Sequence, residues 1–129
     1  MMAVGISTSM ANSFMNAFAN NTSFTVALPY VQLHTADPGA AGTTSVATET
    51  TRKSISFGAS AAGVVLNDVA ITWTNIAGSQ DATHFSVWDA LTNGTFLCSG
   101  TITANAYTAG DTYNVAIGAM SVSLPVGAS

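Results

Sequence analysis

The sequence predicts an all-β domain, a β-sandwich or jelly-roll-like fold with one short helix at its N-terminal end. Three observations carry that expectation. Seven or eight short segments alternate apolar and polar residues, as half-buried strands do. Turn-forming residues separate them at roughly the 8- to 12-residue spacing of sandwiches and barrels. Beyond the first 21 residues no segment shows the longer period of an amphipathic helix.

The helix is predicted over residues 7–20. Met10, Phe14 and Phe18 fall at i, i+4 and i+8 with Met15 beside them, making one apolar stripe. Ser7, Thr8 or Ser9 can cap its start, and Asn20-Asn21 is a plausible stop. Such a helix is too short to be stable alone, so its stripe must be buried on something. The expectation is a divided role, with Phe18 packed on its own domain and Met10 nearer a partner.

The strands follow in order. Phe24–Leu28 alternates, and Tyr30–Leu33 continues after Pro29, which belongs at an edge or bulge. His34–Val46 is a long loop turning at Asp37-Pro38-Gly39. Ser54–Phe57 and Val69–Trp73 are short alternating strands, the latter with Val69, Ile71 and Trp73 on one side. Phe85–Trp88 and Thr95–Ser99 flank Asn93-Gly94, the strongest hairpin signal in the chain. Tyr107–Ile117 and Met120–Leu124 complete the set. Residues 1–21 are therefore expected to form a helical arm, and 22–129 a single β domain.

Composition removes whole classes of function. Only 6% of the 129 residues are charged, two basic against six acidic, where a soluble domain usually carries about 25%. Arg52 and Lys53 cannot neutralise a run of phosphates, so neither nucleic acid nor an anionic membrane is an expected partner. The 48% hydrophobic content keeps the chain out of the disordered class. Its solvated faces must then be built from hydroxyls and small side chains, which suits a protein that lies against other protein. The first charge is Asp37, but Ser, Thr and Asn interrupt the preceding stretch well short of the roughly 18 apolar residues of a spanning helix. With no signal-like start, the chain is expected to be made in the cytoplasm of its host cell. Cys98, the single cysteine, forms no intrachain disulfide and reads as a buried structural thiol.

Three stretches, Tyr30–Ser45, Thr51–Gly58 and Thr83–Gly100, together resemble a family of small tailed-bacteriophage virion proteins known as head-decoration, minor tail or tail-fibre proteins. Tyr30–Ser45 contains the family's LHTADPGAAGT signature. Thr83–Gly100 is similar to its THFGIWDAATGGTFLWSG hairpin, and Thr51–Gly58 to its YARQAVTFG strand. The resemblance covers most of residues 22–124. It implies a β-rich structural component of a phage particle with no enzymatic role and no cofactor.

His34 with Asp37, and Asp81 with His84 and Asp89, lack any spacing typical of metal ligands. Asp37 and Asp89 are expected to cap turns, and His84 to bond locally. Fourteen serines allow a Ser-His-Asp triad on paper, but no Gly-x-Ser-x-Gly elbow, phosphate-binding loop or carboxylate pair accompanies them. Trp73, Phe85 and Trp88 could stack on a carbohydrate, although alternation puts Phe85 and Trp88 on opposite faces, and core packing is the favoured account. Arg52 is expected to reach a carboxylate, Glu49 or one on a partner, or simply to charge an edge strand.

The expected function is that of a capsid decoration protein, binding as a homotrimer to the major capsid protein shell of a virion. The alternative is a minor tail or tail-fibre protein that adsorbs to a host surface, with tail proteins as partners. Met10, Phe14, Phe18 and Arg52 are the candidate interface residues.

Overall fold

The computed structural model describes residues 4–26, 28–103 and 105–124. Helix α1, Thr8–Asn20, starts where Ser7 stays extended and its hydroxyl accepts the Met10 N–H at 3.0 Å. It ends at Asn21, whose left-handed conformation breaks the ladder.

Eight strands follow: β1 Tyr30–His34, β2 Lys53–Ser54, β3 Val64–Leu66, β4 Ile71–Trp73, β5 His84–Trp88, β6 Phe96–Ile102, β7 Tyr113–Val115 and β8 Met120–Ser123. Six form an antiparallel sheet in the order β2-β1-β5-β6-β8-β3, and β4 pairs with β7 in a second sheet. The chain is all-β with a short N-terminal helix, and both sheets contribute to one hydrophobic core.

Burial explains the layering. The small sheet keeps Ile71, Trp73, Tyr113 and Val115 inside, while Thr72 and Asn114 bond to each other outside at 2.9 Å. Strand β5 is central and covered on both faces. Phe85 and Val87 point to the core, and Ser86 and Trp88 to the opposite side, where the 35–47 loop folds over them. The β5–β6 turn is made by Asn93 and Gly94, both at positive φ, as this residue pair allows.

Several expected strands differ from those observed. Residues 24–26 and 28 make no strand, although Val26 packs against the core; Ala27 lies outside the described residues. Alternation there reports one-sided burial and not pairing, and both sides of the following strand β1 are taken by β2 and β5. Tyr107–Ile117 shrinks to β7 because Gly110, at positive φ, turns the chain at Asp111, leaving Tyr107 bridged to Gln80. Val69 is exposed and β4 begins two residues later. Edge strand β3 has no counterpart among the expected strands. Its Val-Val-Leu run shows no alternation, and only pairing with β8 reveals it.

Candidate functional site

Most of the potential catalytic and metal-binding side chains are engaged in hydrogen bonds of the fold itself. His34 is fully buried on β1. Its Nδ1 lies 2.8 Å from the Thr44 carbonyl, which can only accept, so that nitrogen carries the proton. Nε2 then accepts from Ser86 Oγ at 2.7 Å, and Ser86 Oγ accepts from Trp88 Nε1 at 2.8 Å. Burial holds the imidazole below its ordinary pKa, with the charge of nearby His84 acting the same way against the Thr44 and Ser45 hydrogen bonds.

A serine within bonding distance of a histidine is the contact of a nucleophile and its base. Here both residues are buried completely, and the second ring nitrogen meets a backbone carbonyl rather than a carboxylate. The arrangement is a latch. It ties the 35–47 loop to the back of β5, helped by Asp37, whose Oδ1 accepts the Gly39 N–H at 2.9 Å. Gly42, at φ +72°, completes the loop by lying against the Phe96 ring so closely that a Cβ would fall 2.5 Å from it.

The other carboxylates have similar local duties. Asp89 accepts the Thr95 N–H at 2.7 Å across the β5–β6 turn. His84 bonds the neighbouring Thr83 hydroxyl, and Asp81 is exposed. Glu49 is buried and accepts from Ala77 N and Thr51 N. Burial pushes its carboxyl up, but those hydrogen bonds and Lys53 together bring it below the usual value. Among the described residues no cluster of three or more His, Cys, Asp or Glu could hold a metal ion. Burial pushes the Cys98 thiol up to about 12, leaving almost no thiolate at neutral pH. Trp73, Phe85 and Trp88 are all buried, so they form no exposed stacking platform.

Arg52 does not pair with Glu49. Its guanidinium lies 4.2 Å from the centre of the Trp88 ring, and Nη1 donates to the carbonyls of Ala90 at 2.8 Å and Asn93 at 2.7 Å. Arginine's planar, many-donor head can stack and bridge two carbonyls together; a lysine ammonium cannot. Arg52→Lys is therefore expected to lower stability by about 1 kcal/mol. Faster amide exchange in residues 89–95 should accompany it, measured by NMR, and an unchanged turn would show that Asn93-Gly94 holds it alone.

The helix stripe divides in the opposite sense to the expectation. Met10 packs against the core, Phe14 meets Phe24 edge-on at 5.2 Å, and Phe18 is 84% exposed. The physical reason is upstream of the helix. Ser7 N donates to Leu97 O and Ser99 N to Gly5 O, so residues 5–7 are pinned beside β6 and the start of α1 is held onto the sheet. The far end projects away, with Met15 also exposed.

Between α1 and the β3–β8 edge runs an apolar groove. One part, about 140 Å³, is lined by Met10, Val26, Phe57, Val65, Cys98 and Val122 among others. A second part, about 230 Å³, shares Met10, Val65 and Val122 and adds Ile6, Phe14 and Leu124. No charged residue lines either part. Alternation placed Val26, Phe57, Cys98, Val122 and Leu124 on expected strands and Met10 and Phe14 on the helix stripe, but only the fold brings them together, with Val65 of the unexpected β3.

The surface the chain offers is thus an uncharged apolar flank, suited to contact with other protein. No helix among the described residues is long and apolar enough to cross a membrane. No curated protein matches the chain. The family model described as podophage GP4 fiber I protein gp80 matches residues 5–123, the helix and all eight strands included. By that match the chain belongs to the podophage GP4 fiber I protein gp80 family, a family of phage structural proteins.

Proposed function

We propose that this protein is a non-enzymatic part of a podophage fibre, working by contact with other virion proteins. The observation that carries the reading is the uncharged apolar flank formed by α1 and the groove beside it, in a chain of a fibre family. Its titratable groups serve the fold: His34, Asp37, Glu49 and Asp89 each hold a backbone segment in place. The sequence alone favours a capsid decoration protein; membership of a fibre family turns the preference to a fibre component. The aromatic residues that would stack on a sugar, Trp73, Phe85 and Trp88, are all buried, so no receptor-binding role is assigned.

Antibody-gold labelling of purified particles, combined with a count of copies per particle, tests the assignment. Label confined to the fibres, at a handful of copies, is the expected result. Hundreds of copies spread over the head would replace the fibre reading with the decoration reading. Absence from purified particles would remove both.

A further inference from the structure

Tyr107 and Tyr113 are 6% and 5% exposed, and neither phenol oxygen meets a hydrogen-bonding group among the described residues. Buried polar groups are satisfied as a rule, and an orphaned donor costs its full desolvation, so two of them call for a polar guest. The two rings pack together with centroids 4.7 Å apart, and Trp73 lies 6.0 Å from Tyr113. The hydroxyls also share their electrostatic surroundings. Burial pushes both phenols up, Tyr113 to about 12, and the charge of Asp81 acts on both in the same sense. Tyr107 feels the charge of Glu49 as well.

We propose that one water molecule binds between the Tyr107 and Tyr113 hydroxyls and bridges them. Chemistry selects water as the occupant. Each phenol has a proton to donate, which a metal cation cannot accept and a water oxygen can accept twice. A dry void satisfies neither hydroxyl, whereas a small space with two or more polar partners is one that water fills. The water's own hydrogens need an acceptor, and a buried carboxylate offers one. Glu49 takes the Ala77 and Thr51 N–H groups on separate oxygens, leaving others of its roughly four lone-pair sites open. The bridge has a structural task. Tyr113 belongs to β7 of the small sheet, and Tyr107 is bridged to Gln80, whose Oε1 accepts the Thr48 N–H at 2.7 Å. Water between the two phenols fastens the small sheet to those segments. The proposal is independent of the fibre assignment and is tested on the purified chain.

The sign of two conservative substitutions tests it. Removing a hydroxyl that bonds a water lowers stability; removing one that bonds nothing relieves a burial penalty and raises it. Tyr107→Phe and Tyr113→Phe are each expected to shift the unfolding equilibrium toward the unfolded chain by roughly 3- to 10-fold, read from urea unfolding. The double variant should lose less than the product of the two, because the second substitution acts on a bridge already gone. A high-resolution crystal structure of the wild type gives the direct view, with a density peak expected at about 2.5–3.0 Å from both phenol oxygens. No such peak, a peak bonded to one hydroxyl alone, or the coordination shell of a metal ion in its place would each overturn the proposal. So would a Phe variant more stable than the wild type, or two single effects that multiply in full.

Discussion

Replacing Gly100 by alanine is expected to lower stability by about 3 kcal/mol or more, a large share of what a domain of this size has. Gly100 sits in β6 opposite Phe85 of β5, with β8 on its other side. A Cβ there would lie 1.9 Å from the Ser121 carbonyl oxygen and 2.8 Å from the Phe85 ring. The Phe85 ring is fully buried and the Ser121 oxygen is backbone, so neither can step aside without opening the sheet. The requirement is for space, since Gly100 has no left-handed φ. Gly118 provides the contrast, with φ +83° and open space around the Cβ position. Gly118→Ala should cost only the backbone strain, about 1–2 kcal/mol. Urea unfolding of both variants checks the pair. A Gly100→Ala midpoint equal to the wild type would show that β6 and β8 separate freely.

The second large effect is expected at His34. His34→Ala leaves the Thr44 carbonyl and Ser86 hydroxyl without their partner and opens a void, together worth about 2–4 kcal/mol. The same residue sets the response to acid. Its folded pKa lies below the ordinary 6.5, so the unfolded chain binds the proton more readily. Its contribution is full above pH 6.5 and falls as the pH drops from there toward the folded value. Glu49 is also held below its ordinary 4.5, so its contribution is full above 4.5 and is lost further down. The wild type should weaken in two stages on acidification, and His34→Ala should lack the first. Urea midpoints measured from pH 8 to pH 3 distinguish them. A wild-type profile flat from pH 7 to pH 5 would mean that the folded imidazole accepts a proton without loss.

The Asn93-Gly94 turn, the Ser7 cap and the Asn21 stop were legible because each depends on local backbone geometry and the adjacent side chains. Alternation likewise marked β1, β4, β5 and β8, if not their ends. The turn-capping duties of Asp37 and Asp89 were readable for the same reason: their bonds reach only two and six residues away.

The residue pattern alone carried the all-β class, several of the turns and the near absence of charge. Tertiary structure decided which faces are covered. Met10 and Phe18 are equivalent in the helical pattern, yet one packs on the core and the other stands in solvent, because residues 5–7 pair with β6. Arg52 turned to Trp88 and two carbonyls 38 and 41 residues away instead of the carboxylate three residues before it. His34 met Ser86 across 52 residues. Edge strand β3 and the groove it borders exist only because β8 returns beside it from the far end of the chain. Periodicity records that a residue is apolar on one side; what fills that side is set by long-range pairing, which no local window contains.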